Sequence, residues 1–351
     1  VTPDALDAAR DRIAGNLAGA LRRGKISKEQ HDGMLAHALE LTTEYTALSE
    51  TDLVIEAVFE DMAVKKQVFS QLDQVCRDGA VLATNTSYLD VNEIAGAVAD
   101  PTRVVGLHFF APAHIMRLLE IVKGNATSDA ALAMGYGLAK LLKKVPVLAG
   151  VSDGFIGNLM FSRYREAADT VFMDGSTPWE VDEAMEEFGY AMGPYEVADL
   201  SGLDIGYANR RRQDATRDPN RRYIPIADRM YELGKLGKKV GAGWYRYPGG
   251  GGKVDDPIVA DLALEEAHFA GIERTEYNGD EIRERLVLAM INEAAGVLED
   301  GIAQSAADID LVTVFGYGFP RWRGGLMHYA DTLGAAHIVE RLEVLCQEDP
   351  V

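Results

Sequence analysis

The sequence predicts an α/β fold in two unlike parts: a doubly wound sheet with helices on both faces up to about Gly150, then helices alone. Three observations carry this reading. Short apolar runs such as DLVIEAV and AVLAT alternate with amphipathic stretches between residues 52 and 148, the pattern of a parallel sheet covered on both sides. From Asp153 onward the short apolar runs give way almost entirely to helical spacing. Within that helical region one pattern occurs twice: Glu166-Ala167-Ala168, Asp174-Gly175, Asp182 and Gly189-Tyr190 return as Glu293-Ala294-Ala295, Asp300-Gly301, Asp308 or Asp310, and Gly316-Tyr317. The spacing is roughly 126 residues, and Ala198-Asp199 returns as Ala330-Asp331, so two related helical modules are expected.

The elements follow in order. Residues 2 to about 48 read as helical at first, with Thr2-Pro3 as cap and first turn and Ser27 capping a second helix that has Glu29 near its start. A weak strand is expected over Thr42–Leu48 and a strong one over Asp52–Val58, then an amphipathic helix over Asp61–Val75. The strand Ala80–Thr84, the turn Asn85-Thr86-Ser87, a short helix Val91–Val98 and the strand Val104–Phe109 come next. Leu118–Val122 is a strand, Ser128–Lys143 a helix, and Val145–Leu148 the last strand. The glycine run Gly249–Gly252 lacks GK[ST] and a following helix, so it reads as a flexible linker and not as a phosphate loop.

Composition limits the functions open to the chain. Its 351 residues are 47% hydrophobic and 26% charged, enough for two or three domains with a large core. A net charge of -20 with pI near 4.8 argues against a nucleic-acid partner or an anionic membrane, which need basic surfaces. Positive charge does gather at Arg210-Arg211-Arg212 and Arg221-Arg222, which suit either a small anionic ligand or a solvated helix face. Cys76 and Cys346 are isolated, so neither a disulfide framework nor a metal site is expected, and a reducing setting fits. No apolar run approaches the roughly 18 residues that span a bilayer.

One stretch, GLHFFAPAHIMRLLEIVK from Gly106 to Lys123, concentrates the chemistry. Glu120 stands inside the apolar run LLEIV, where a carboxylate without a partner is expensive. If LHFF ends one strand and LLEIV is its neighbour, the connection brings Glu120 back beside His108, giving a carboxylate-oriented imidazole of the general-base type. The same spacing also suits a structural histidine at a strand end beside an edge-strand glutamate. Ligands of doubly wound sheets sit at the carboxyl ends of the strands, and Val58–Glu60, Asn85–Ser87 and His108 all fall there.

GLHFFAP followed by LLEIV, NTS at Asn85–Ser87, DLVIEAVFED with Lys65 downstream, and Asp153-Gly154-Phe155-Ile156-Gly157-Asn158 together resemble the L-3-hydroxyacyl-CoA dehydrogenases. GYGFPRWRGG, YADTLG and KKVGAGWYRY extend the resemblance over essentially the whole chain, to the dehydrogenase half of the multifunctional enoyl-CoA hydratase/3-hydroxyacyl-CoA dehydrogenases of fatty-acid β-oxidation. That resemblance implies an incomplete Rossmann-like sheet, its first strands and GxGxxG loop absent, followed by two repeated all-α modules. The implied divisions are an N-terminally truncated NAD-binding domain over 1–150, a first helical module over 151–248, and a linker with a C-terminally truncated second module over 249–351. Loss of central strands in the 3-2-1-4-5-6 order is expected to expose backbone edges, weaken NAD affinity and impair solubility.

By the same resemblance the reaction is NAD-dependent oxidation of L-3-hydroxyacyl-CoA to 3-oxoacyl-CoA. His108 is the implied general base and Glu120 orients it, while Ser87 and Asn158 hold the substrate. Val58, Phe59, Glu60 and Lys65 line the NAD site, with Ser87 close to it. Read singly, Ser87 is equally a turn residue and Asn158 a helix cap. Ala111 and Leu159 depart from the family pattern, removing one hydrogen-bonding group near the site and one expected interface arginine. The implied partners are an acyl-CoA substrate and an upstream hydratase domain on the same polypeptide, in the bacterial cytoplasm first and the peroxisome second. A free β-hydroxyacid dehydrogenase would use a catalytic lysine where this chain offers His108 and Glu120. The remaining alternative is a non-catalytic acyl-CoA-binding or assembly fragment.

Overall fold

The computed structural model describes residues 2–348; Val1 and residues 349–351, at the outer ends of the first and last expected domains, lie outside the described residues. Helix α1 (Pro3–Arg22) opens on Pro3 behind Thr2, whose hydroxyl accepts from the Ala5 amide at 3.3 Å. Helix α2 (Lys28–His37) opens on a capping box in which Ser27 and Gln30 satisfy each other's amides. The weak strand expected over Thr42–Leu48 is instead a loop ending in a single 3₁₀ turn, Tyr45–Leu48. Residues 43–47 are exposed on every side, so the segment has no apolar face with which to join a sheet.

The sheet then forms from β1 (Leu53–Glu56), β2 (Val81–Thr84), β3 (Val104–Phe109), β4 (Leu118–Lys123) and β5 (Val145–Gly150), in that spatial order. Helices α3 (Met62–Val75), α4 (Val91–Ala95) and α5 (Asp129–Leu141) connect them. All neighbours run parallel except β3 and β4, which are antiparallel, and that reversal sets Glu120 directly opposite His108 in the register. Among the described residues the outer edge of β1 has no strand partner. The outer edge of β5 is partly covered, since the Gly150 amide donates to the Ile302 carbonyl at 2.8 Å and Ala149 bridges Ala303.

Alternate residues of each strand face different cores, as the pleat requires. Val81, Ala83, Val105, Leu107, Leu119 and Ile121 pack beneath α5, while Leu82, Val104, Leu118, Val122 and Val147 join a larger core continuous with the helical region. Helix α5 approaches closely because Gly135 faces Leu107 and Ile121, where an added Cβ would stand 3.2 Å from the Leu107 side chain.

The helical region comprises α6 (Gly157–Asp174), α7 (Pro178–Phe188), α8 (Pro194–Ser201), α9 (Leu203–Gln213), α10 (Ile226–Glu232), α11 (Pro257–Ala270), α12 (Gly279–Glu299), α13 (Ala306–Gly316), α14 (Leu326–Leu333) and α15 (Ala335–Glu348). The glycine run 249–252, expected as a flexible linker, is the turn of a small hairpin, β6 (Tyr245–Arg246) with β7 (Val254–Asp255). Two buried aspartates fasten that hairpin to the helices. Asp199 accepts from the Trp244 and Tyr245 amides at 2.8 and 3.0 Å and from the Tyr247 hydroxyl at 2.9 Å. Asp182 accepts from the Tyr195 and Glu196 amides, both at 2.9 Å, and from the Tyr245 hydroxyl at 2.8 Å. Only glycine fits at 243, where a Cβ would lie 1.9 Å from the Asp199 carboxylate. Asp310 makes the corresponding contact for α14, accepting from the Met327 and His328 amides at 2.7 and 3.2 Å.

Candidate active site

The site assembles where β1, β2 and β3 end and α6 begins. Asn85, in the turn after β2, accepts from the Phe109 amide at 2.9 Å and so ties that turn to the end of β3. His108 is 4% exposed, and its Nδ1 lies 2.7 Å from Glu120 Oε2. Glu120 is fully buried; its other oxygen, Oε1, accepts from the Ile156 and Gly157 amides at 3.2 and 2.9 Å. A strand carboxylate therefore satisfies the first turn of α6, which has no side-chain cap of its own, and sits at the positive end of that helix.

Because a carboxylate accepting from two amides orients His108 through Nδ1, the ring carries its hydrogen on Nδ1 and presents Nε2 as the acceptor. Phe110 and Phe155 wall the imidazole, with ring centroids 4.6 and 5.6 Å away. Phe155 holds φ 53°, a left-handed conformation that a bulky residue rarely adopts, at the turn leading into α6. Asn158 follows one residue into that helix. It does not cap it; its Nδ2 donates to the Ser87 carbonyl at 3.2 Å, and its Oδ1 accepts from the Tyr317 hydroxyl at 2.6 Å.

A second buried network underlies the ends of β1 and β2. Lys65, 1% exposed, donates to both oxygens of Glu56 at 2.9 and 3.2 Å and lies 3.4 Å from Glu60. Glu56 also accepts from the Val58 amide and the Thr84 hydroxyl. Glu60 accepts at one oxygen from the Thr86 hydroxyl and from the Ser87 and Tyr88 amides, at 2.6, 2.7 and 3.0 Å. Burial works against the Glu60 charge, yet those bonds and the Lys65 ammonium prevail, and the carboxyl is held below its usual range.

The residues singled out in the sequence thus divide. His108 and Glu120 meet directly, and Ser87 and Asn158 meet beside them. Val58 and Phe59 stand exposed at the end of β1, Phe59 at 86%, with Glu60 next to them under the Ser87 turn. Lys65 does not reach that open edge, because its ammonium is committed to Glu56 and Glu60. Glu56 and Tyr317 carry site contacts that sequence reasoning assigned to neither. The signal for Glu56 was available: it is a carboxylate in an apolar strand run, as Glu120 is, with Lys65 nine positions on. Tyr317 has no comparable signal, since it reaches Asn158 only through the packing of α13 against α6.

Comparison with known proteins finds two matching family models along the chain. The family model described as "3-hydroxyacyl-CoA dehydrogenase, NAD binding domain" matches residues 1–152, and that described as "3-hydroxyacyl-CoA dehydrogenase, C-terminal domain" matches residues 154–247. The human peroxisomal bifunctional enzyme is 43% identical over 323 residues, covering 88% of this chain and 45% of its own length. The chain thus spans about half the length of the curated relatives it matches. Among solved structures, a 3-hydroxybutyryl-CoA dehydrogenase from Escherichia coli superposes with TM-score 0.84 at 27% identity, over 100% of this chain and 89% of that one. The dehydrogenase part of multifunctional enzyme 1 from C. elegans gives TM-score 0.61 at 28% identity, over 90% of this chain and 71% of that one.

Proposed function

The chain belongs to the 3-hydroxyacyl-CoA dehydrogenase family, with an NAD-binding domain at its start, and on that premise we propose that it oxidises L-3-hydroxyacyl-CoA to 3-oxoacyl-CoA in fatty-acid β-oxidation. The observation that carries the proposal is the His108–Glu120 contact at 2.7 Å, which leaves Nε2 free to take the proton of the substrate 3-hydroxyl. As that proton arrives, positive charge builds on the ring and the Glu120 carboxylate stabilises it. NAD, when bound, supplies the acceptor for the hydride that leaves C3 as the carbonyl forms. Ser87 and Asn158 hold the substrate oxygen against His108, so that proximity and orientation are settled before the reaction begins.

The open strand ends suit the nicotinamide end of such a cofactor. Val58 and Phe59 offer exposed apolar surface there, and among the described residues the Ser87 hydroxyl makes no hydrogen bond within the chain. Glu60 keeps the Ser87 turn in place, and Lys65 supports Glu60 from below. The complete His108, Glu120, Ser87 and Asn158 set favours catalysis over a purely assembling role. An enoyl-CoA hydratase unit on the same polypeptide belongs to the same proposal, and the relatives named as peroxisomal favour that compartment over a bacterial cytoplasm.

The test is NADH oxidation by acetoacetyl-CoA, followed by absorbance in the intact protein and its His108→Ala variant. Turnover in the first and at least a hundredfold loss in the second are expected. Turnover that survives the substitution would remove His108 from the mechanism.

A further inference from the structure

Tyr317 follows α13, in the second helical stretch, yet its ring lies inside the site. It stacks on Phe161 with centroids 4.6 Å apart and meets Phe110 edge-on at 5.5 Å, and Phe110 in turn touches His108. It also rests on the first turn of α6, where a Cβ added to Gly157 would stand 2.9 Å from the tyrosine ring. From that position its hydroxyl donates to Asn158 Oδ1 at 2.6 Å.

A carboxamide can turn over, exchanging its oxygen with its NH₂ group, and only its partners decide which way it faces. The Ser87 carbonyl can only accept, so it selects the NH₂ group of Asn158. The Tyr317 hydroxyl takes up the opposite side by donating to Oδ1. Burial pushes this phenol well above its usual range, so the hydroxyl keeps its proton as a donor. With Oδ1 engaged and one Nδ2 hydrogen on Ser87, the second Nδ2 hydrogen is the group Asn158 has left to give.

We propose that Tyr317 is a positioning residue that locks the Asn158 carboxamide, so that its remaining Nδ2 hydrogen faces the substrate oxygen. The second helical stretch then completes the site instead of merely bracing it. This inference deepens the dehydrogenase reading and rests on it for the identity of the ligand.

The test is a double-mutant cycle with Tyr317→Phe, which keeps the ring and deletes the hydroxyl, and Asn158→Ala. Acetoacetyl-CoA binding is read by calorimetry in the intact protein, alongside turnover of NADH. Tyr317→Phe is expected to weaken binding about tenfold in the unmodified background and to have no further effect once Asn158 is alanine. Undiminished binding in Tyr317→Phe, or an equal loss in the Asn158→Ala background, would overturn the inference. Absence of turnover in the unmodified protein would count against the dehydrogenase reading alone, because the binding cycle still decides the role of Tyr317.

Discussion

Glu120 and Gly157 are joined across the boundary between the sheet and the helices, the carboxylate accepting the helix's first amide at 2.9 Å while its other oxygen orients His108. One buried side chain therefore sets both the angle at which α6 leaves the sheet and the direction in which the imidazole points. A change at Glu120 acts on chemistry and on domain packing together, and the two effects can be separated by keeping the shape of the side chain.

Glu120→Gln keeps an oxygen for the α6 amides and removes the charge facing His108. The expected result is a fall in kcat of about 10²- to 10⁴-fold with KM for acetoacetyl-CoA within a fewfold of its original value, as for other histidine bases deprived of their carboxylate. Steady-state kinetics of NADH oxidation check this. A matching rise in KM with kcat unchanged would mean that Glu120 serves binding.

Lys65→Met leaves Glu56 and Glu60 without their shared cation in a buried setting. Removing one partner of a buried pair costs about 3–5 kcal/mol, so chemical denaturation should register a loss of that size. Adding Glu56→Gln should recover part of it, because the uncompensated charge is then gone. A fall in kcat/KM is also expected, since Glu60 holds the amides of Ser87 and Tyr88.

Asp199 provides a pH signature. Burial raises its carboxyl from 3.8 to about 6, although the Tyr245 and Trp244 amides and the Tyr247 hydroxyl oppose the rise. A raised acid is favoured in its protonated form by folding. Its contribution is full below about pH 4, falls by about 1.4 kcal/mol per pH unit between about 4 and 6, and is gone above. Asp199→Asn should therefore destabilise the protein more at pH 4.5 than at pH 7.5. Thermal unfolding at the two pH values checks the sign, and an equal penalty at both would show that the carboxyl is not raised.

Asn85→Ala strips the acceptor from the Phe109 amide at the end of β3. The half-buried amide left unpaired costs about 1–3 kcal/mol in denaturation experiments. Because that amide follows His108 directly, a drop in kcat of about tenfold accompanies it. Full activity with lowered stability would place Asn85 outside the positioning of the base.

The sequence by itself determined the class of the fold and the succession of its strands along the chain, and it offered His108 and Glu120 as a pair beside a purely structural reading of both. Periodicity fixes which residues of a strand face a core, and a carboxylate in LLEIV must find a donor, so those conclusions follow from local pattern and the cost of an unpaired buried charge. The same local reasoning misplaced Thr42–Leu48, where β-branched residues occur without an apolar face to bury, and read as a linker a glycine run that turns a hairpin. Only the tertiary structure decided that Lys65 turns inward to Glu56 and Glu60, that Glu120 caps α6, and that Tyr317 reaches Asn158 across 159 residues of chain. These depend on how helices cross and which faces meet, and such distances are set by the packing of side chains far apart in sequence, which periodicity does not record.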